Sequence, residues 1–512
     1  MTTQKAAGRV WPATVVVAAT GLTIQIAVSA LGGYGIFRDE LYYLACSRHL
    51  DWGYVDQPPL SALLLACVRL LFGESLVAIR LLPALAFAAL ILLTGALVEQ
   101  MGGGRRAAFV ATSSVLVAPV LLGVCGFYSM NAFDLVAWSG CLLLVARIAA
   151  GNSARLWLLL GLVVGLAALN KISILFLVFG LGVGLLATPH RRHLLSPWLW
   201  AGAAVAALIA APYGIWQLTH DFATLEFMRN ASRYKNAATN PLSFFVGQIM
   251  MMHPANVLVW LTGFVYLLVA RPVRAYRLFA LAYVATFLVF ALGNGKDYYL
   301  AGFYPVLLAA GAVAIERLSA HRGLGWVPVT LAISTLVSGA LISPYALPIL
   351  PPEDFIRYTR TIGISPGGEE RDRPSALGQH YADMFGWREM ARTVAAAYQT
   401  LTTEEKAEVV IFGQNYGQAG AIDHFGRAIG LPGAISGHNN YWLWGPGDRS
   451  GQVAIIIGGA ARDNAAVFDR CDIVAVHRHP YARSFETDLP ISICRGLRTD
   501  LHTLWPRLRH YI

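Results

Sequence analysis

FRDELYYLACSRHLDWGYVDQPPL, residues 37–60, interrupts a chain that is otherwise apolar. It follows directly on the first long hydrophobic run, residues 12–33. Within it stand the adjacent acids Asp39 and Glu40, a further acid in Asp56, several aromatics, and the pair Pro58-Pro59 that starts the next helix. Tyr42, Tyr43, Arg48, Trp52 and Tyr54 are spaced as on an amphipathic helix lying in a membrane interface. Carboxylates placed against apolar surroundings gain proton affinity unless a cation is near. An acid at the end of a membrane helix is costly to bury, and so marks function more often than packing.

Composition sets the class outward from this stretch. Of 512 residues, 56% are hydrophobic and only 13% charged, against about 25% charged in a soluble domain. The net charge of +10 is no nucleic-acid footprint, because the basic residues fall in small groups between apolar segments rather than in one stripe. Apolar runs long enough to cross about 30 Å of hydrocarbon recur up to about residue 345, at 12–33, 76–99, 106–126, 131–150, 155–170, 171–188, 198–218, 243–270, 277–293, 300–318 and 324–344. This predicts a polytopic helical membrane protein with about 11 crossings. The first run lacks a short hydrophobic region with a small-residue cleavage site, and reads as a retained anchor.

The connectors orient these runs. GGGRR at 102–106, RIAAGNSAR at 147–155, HRRH at 190–193, RPVRAYR at 271–277 and RLSAHR at 317–322 lie on alternate connections without compensating acids, the signature of cytoplasmic loops. The loops at 34–75, 127–131, 219–242 and 294–300 then face outside. Residues 1–345 form the membrane domain, and 346–512 a polar, extracytoplasmic α/β domain with strands at 407–414, 451–459 and 471–479 and a helix over 385–401. The glycine-rich turn GQNYGQAGA, 413–421, departs from GxGxxG and reads as a structural turn. Cys471 and Cys494 are the candidates for a disulfide; the other four cysteines sit in or beside apolar segments, where a thiol acts as a small hydrophobe.

Further chemistry-bearing residues fall on the outer set of loops. CGFYSMNAFDLVAW, 125–138, contributes Asp134; ALNKISIL, 168–175, contributes Asn170 and Lys171 between two short apolar runs; GNGKDYYLAGFYP, 293–305, contributes Lys296, Asp297, Tyr298 and Tyr299. Acids that can deprotonate a hydroxyl, with lysines that can hold a phosphate, form the inventory of a group transfer from a phosphorylated lipid. A polyprenyl-phosphate sugar meets that description, since its activating phosphate travels in the membrane.

The order of RDELYY, HLDWGYVDQPPL, MNAFD, LNK and GKDYYLAGFYP, spanning residues 38–305, resembles glycosyltransferase family 39, the group of protein mannosyltransferases and aminoarabinose transferases. The resemblance implies the membrane-embedded C-type glycosyltransferase fold and transfer of a sugar from a polyprenyl-phosphate donor to an acceptor hydroxyl on a glycan, lipid or protein. By it, Asp39 acts as base with Glu40 as its neighbour. Tyr54, Asp56, Asp134, Lys171, Lys296, Tyr298 and Tyr299 contribute to the donor and phosphate site. Gln57 stands where related chains carry a lysine, which removes one phosphate-binding charge. The expected chemistry is an inverting displacement in the bacterial inner membrane, with the site expected on the extracytoplasmic side. A divalent metal, with His253 or Asp56 among its ligands, stays open as a cofactor, although no paired-histidine spacing supports it. Two alternatives stand beside this reading. A transporter or lipid-linked sugar flippase would show duplicated halves, and none is visible; a noncatalytic sensor would not need acids and lysines at the outer ends of several crossings.

Overall fold

A computed structural model describes residues 11–236, 240–363 and 375–512. The chain divides into two compact units, and the second is assembled from three stretches of sequence: residues 33–76, the segment from Trp216 to Asn236, and the described residues from Leu350 onward. These boundaries differ from a single cut at 345/346, because residues 33–76 belong with the later domain and not with the helices that flank them in sequence.

The first unit is helical. Among the described residues, seven helices are long and apolar enough to cross a membrane: Pro12–Leu31, Leu76–Gln100, Met130–Ala149, Pro197–Thr219, Arg271–Leu292, Asp297–His321 and Val327–Ala346. Two bent pairs, Ile174–Leu186 with Pro189–Leu195 and Pro241–Met251 with Pro254–Val269, turn by 112° and 101° and bring the number to at most nine. The expected count of about 11 includes shorter apolar stretches, such as Leu156–Ala168, that fall below full spanning length on their own. The run at 106–126 is cut into helices Arg105–Leu116 and Pro119–Val124, because Pro119 has no N–H to continue the ladder and Ala118 before it is extended. The run at 155–170 yields only the 13-residue helix Leu156–Ala168, about 20 Å long at 1.5 Å per residue.

Small residues let these helices approach closely. A Cβ added at Gly263 would lie 1.9 Å from the Leu307 carbonyl oxygen, and one at Gly311 would lie 1.9 Å from that of Val259. Backbones in van der Waals contact are how apolar helices associate where lipid supplies no hydrophobic drive. Large apolar side chains such as Leu208, Leu258 and Leu341 remain exposed on the outside of their helices, as a lipid-facing surface requires.

The second unit carries a five-stranded sheet of β1 (Val410–Gly413), β2 (Ala434–Ile435), β3 (Val453–Ile457), β4 (Phe468–His477) and β5 (Leu489–Leu497), in the order β2-β1-β3-β5-β4. β1 pairs in parallel with β2 and β3, whereas β5 lies antiparallel between β3 and β4. Cys471 and Cys494 face each other across β4 and β5 and are bonded. Helix Trp387–Gln399 packs on this sheet through Trp387, Met390, Ala391 and Val394.

Helix Arg38–Arg48 belongs to the same unit and is almost entirely buried. It packs against helices Leu60–Phe72 and Tyr416–Ala421, and so is not the interfacial helix that its aromatic spacing suggests. Gly417 and Gly420 allow the contact: a Cβ at the first would sit 2.7 Å from the Arg38 side chain, and one at the second 3.0 Å from that of Leu41. Glu74 ties the ends together, with His424 Nδ1 at 3.3 Å and Arg48 and Arg69 each donating at 2.7 Å. Those three groups, His424 foremost, hold its carboxyl well below the usual range.

Candidate active site

Two clusters of chemistry-bearing side chains emerge, one in each unit. In the second unit, Asp39 stands at the start of helix Arg38–Arg48, its side chain 39% exposed. The Tyr416 hydroxyl donates to Asp39 Oδ1 at 2.8 Å, and Arg38 Nε lies 3.7 Å from the same oxygen. Asp56 is held in parallel fashion, its Oδ1 accepting from the Tyr42 hydroxyl at 2.9 Å. The Tyr42 and Tyr416 rings pack with centroids 4.7 Å apart. Burial pushes the Asp56 carboxyl up to about 6, against the lowering effect of its Tyr42 hydrogen bond; Asp39 adds to the rise, and Lys235 opposes it.

The remaining members of the opening motif serve the scaffold. Glu40 is fully buried, and its Oε2 accepts from the Phe37 backbone N–H at 2.8 Å. It thus closes the helix N-terminus, where a carboxylate also meets the positive end of the helix dipole. Tyr54, expected at the donor site, is likewise fully buried, with its hydroxyl 3.1 Å from both the Cys46 and His49 carbonyls. It secures the last turn of helix Arg38–Arg48 instead of facing a ligand. Gln57, in the place of the expected lysine, is turned inward toward Cys46 Sγ and the Ser61 hydroxyl.

Beneath the carboxylates lies a buried ionic layer. Asp383 is fully enclosed, with Arg483 Nη1 at 3.2 Å and Arg38 Nε at 3.8 Å, and its carbonyl accepts from the Arg38 N–H at 2.9 Å. Glu486 accepts from Asn415 Nδ2 at 2.7 Å and Gln418 Nε2 at 2.9 Å, and burial raises its carboxyl to about 7. A buried charge without a partner is expensive, so these contacts fix the places of Arg38 and of helix Tyr416–Ala421 together.

In the first unit, the residues expected to hold phosphate come together. Lys171 Nζ lies 3.5 Å from Asp134 Oδ2 and donates to Asn131 Oδ1 at 2.8 Å. It also sits over the rings of Tyr299 and Tyr298, 4.9 and 5.4 Å from their centroids, and Lys296 Nζ lies 5.9 Å from that of Tyr298. The Ser173 hydroxyl is 2.7 Å from both Asp134 oxygens, and Asn170 Nδ2 donates to the Met130 carbonyl at 2.8 Å. Ammonium groups flanked by aromatic faces suit an anion carried on an apolar chain. Among the described residues, no three His, Cys, Asp or Glu side chains converge as a metal-ligand set.

Sequence reasoning missed Tyr416, Asn131, Ser173, Lys235 and Asn440. Asn131 and Ser173 lie within motifs already singled out, and Asn131 stands three residues before Asp134 on one helix, a spacing that could have flagged it. Asn440 receives the Val55 N–H at 2.6 Å and touches the Tyr42 hydroxyl at 3.1 Å, across a sequence gap that no local pattern spans.

Residues 56–216 match the family described as dolichyl-phosphate-mannose-protein mannosyltransferase. The crystal structure of ArnT from Cupriavidus metallidurans bound to undecaprenyl phosphate superposes with a TM-score of 0.61, at 16% identity, over 94% of this chain and 97% of that one. At 16% identity this likeness shows a shared fold, the membrane-embedded C-type fold that the sequence leads one to expect. The apo form of the same ArnT gives a TM-score of 0.60 at 15% identity over the same shares of the two chains. The lipid A galacturonosyltransferase RgtD of Rhizobium johnstonii is 31% identical over 227 residues, 43% of this chain. The chain spans about half the length of that curated relative, 46% of it. The stretch matched by the mannosyltransferase family begins at Asp56 and takes in Asp134 and Lys171, while Asp39, Lys296 and Tyr416 lie outside it.

Proposed function

We propose that this protein transfers a sugar from a polyprenyl-phosphate donor to a hydroxyl of a lipid A-like glycolipid, at the extracytoplasmic face of a bacterial inner membrane. The observation that carries the reading is Asp39, a part-exposed carboxylate whose position is held by a tyrosine hydroxyl. In this scheme Asp39 takes the proton of the acceptor hydroxyl. The acceptor oxygen attacks the anomeric carbon, and the bond from that carbon to the phosphate oxygen breaks with its electron pair leaving on the lipid phosphate. A single displacement inverts the anomeric configuration, so one carboxylate suffices. The transition state carries positive charge on the ring and negative charge on the departing oxygen. Lys171, over the Tyr298 and Tyr299 rings, and Lys296, near that of Tyr298, give the first unit a cationic cluster of a kind that suits a lipid phosphate.

Support for the donor class comes from the ArnT fold, solved with undecaprenyl phosphate. Support for the acceptor comes from RgtD, named for lipid A. The Cys471–Cys494 disulfide favours an oxidising compartment for the sheet-bearing unit, in keeping with the basic loops assigned to the cytoplasm. The test is reconstitution in liposomes with lipid A and undecaprenyl-phosphate sugars, among them galacturonic acid, mannose and aminoarabinose, with products read by mass spectrometry. A sugar-modified lipid A is expected, and Asp39→Asn should lower the rate by about 10²–10⁴ while donor binding persists. Absence of product with every donor, or an Asp39→Asn variant at the wild-type rate, would refute the reading.

A further inference from the structure

We infer that Tyr416, on the glycine-rich turn of the sheet-bearing part of the chain, is a positioning residue that orients the Asp39 carboxylate for proton abstraction. The inference rests on the reading of Asp39 as base. It accounts for a motif, GQNYGQAGA, that sequence reading left as a mere turn.

The local structure leaves Tyr416 little freedom. Helix Tyr416–Ala421 opens on Asn415, whose side-chain oxygen accepts from the N–H groups of Gly417 and Gln418 at 2.9 and 3.1 Å. The same Asn415 donates through Nδ2 to Glu486, and Gln418 donates to the other oxygen of Glu486, so the turn is pinned from behind by a buried carboxyl. On its other side the Tyr416 backbone N–H donates to His438 Nδ1 at 3.3 Å. Burial holds the His438 imidazole well below its usual pKa, hence neutral, and its Nε2–H then donates to the Ile512 carbonyl at 2.8 Å. The His438 and Tyr42 rings flank that of Tyr416 at 4.8 and 4.7 Å, and the Arg38 guanidinium lies 5.4 Å from its centroid. The phenol is therefore packed against two rings and a guanidinium, with its hydroxyl donating to Asp39 Oδ1.

One oxygen of Asp39 thus takes a hydrogen bond of ordinary length, which favours a single carboxylate rotamer and leaves the other oxygen to meet an acceptor hydroxyl. The charged and titratable groups around it are Arg38 and Tyr42 from its own helix, Asp56 from the following loop, Tyr416 and His438 from the sheet-bearing segment, and Lys235, whose ammonium lies 6.0 Å from the Tyr416 centroid.

The experiment compares the full-length wild type with Tyr416→Phe and Asp39→Asn, and with 3,5-difluorotyrosine placed at 416, in liposomes with undecaprenyl-phosphate galacturonic acid and lipid A. Tyr416→Phe should lower kcat about tenfold at unchanged donor KM. It should also raise the acidic midpoint of the pH–rate profile by about one unit, equivalent to about 1.4 kcal/mol. Difluorotyrosine keeps the ring and its packing but donates more strongly, and should move that midpoint down. If Asp39→Asn is silent while neither Tyr416 variant moves the midpoint, the positioning role is overturned and Asp39 stands. If Asp39→Asn retains activity, or the wild type makes no product, the underlying reading fails and this inference with it.

Discussion

Lys171→Met breaks the buried pair on which the lysine cluster is built. Both side chains, Lys171 and Asp134, are only 9% exposed, and Nζ lies 3.5 Å from Oδ2. At an effective dielectric of about 20 this separation corresponds to an attraction of about 5 kcal/mol, and loss of one partner of a buried pair costs about 3–5 kcal/mol. The methionine keeps the aliphatic stem but abandons Asp134 to the Ser173 hydroxyl, and also forfeits the Asn131 hydrogen bond. Asp134→Asn in the same chain removes the orphaned charge, so Lys171→Met should cost only about 1 kcal/mol in that background. A double-mutant cycle by denaturant titration in mixed micelles measures the difference, expected at about 2–4 kcal/mol. Transfer should fall in both backgrounds, because Lys171 also faces Tyr298 and Tyr299. Equal destabilisation by Lys171→Met with and without the Asp134 carboxylate would refute the pairing.

Glu486 supplies a pH signature. Burial raises its carboxyl from the ordinary 4.5 to about 7, so the folded state binds a proton that the unfolded chain has lost, and stability contributed by this group falls as pH rises from about 4.5 to about 7. Glu486→Gln should flatten that decline, gaining on the order of 1–3 kcal/mol at pH 8, as read from unfolding midpoints against pH. Gly311→Ala should destabilise the helical unit by more than the roughly 1–3 kcal/mol of ordinary overpacking. Its new methyl would meet the Val259 carbonyl at 1.9 Å, and a melting temperature unchanged in detergent would contradict the close approach of these two helices.

Much of the architecture is legible in the residues because lipid imposes a local rule. A run of about 20 apolar residues spans the hydrocarbon whatever its neighbours do, and seven such runs reappear as single helices. Runs and helices part company at Pro119, which breaks the 106–126 run into two shorter helices, an interruption that length and hydropathy alone do not register. The three expected strands overlap β1, β3 and β4, whose cores are rich in β-branched residues. β5 went unread, since Pro490 and the glycine at 496 punctuate it.

The candidate site divides along the same line. Asp39, Asp56, Asp134, Lys171 and Lys296 could be picked out from sequence because an ionisable group beside an apolar run is costly wherever the chain goes. Which partners each of them meets was decided by distances across the fold. Two adjacent acids received opposite fates, Glu40 turned in to cap a helix while Asp39 stayed part-exposed, since successive residues of a helix point in different directions. Tyr416 reaches Asp39 across 377 residues. Hydrophobicity adds up residue by residue and can be summed along a string; a hydrogen bond fails within a fraction of an ångström, and only the folded chain brings donor and acceptor that close.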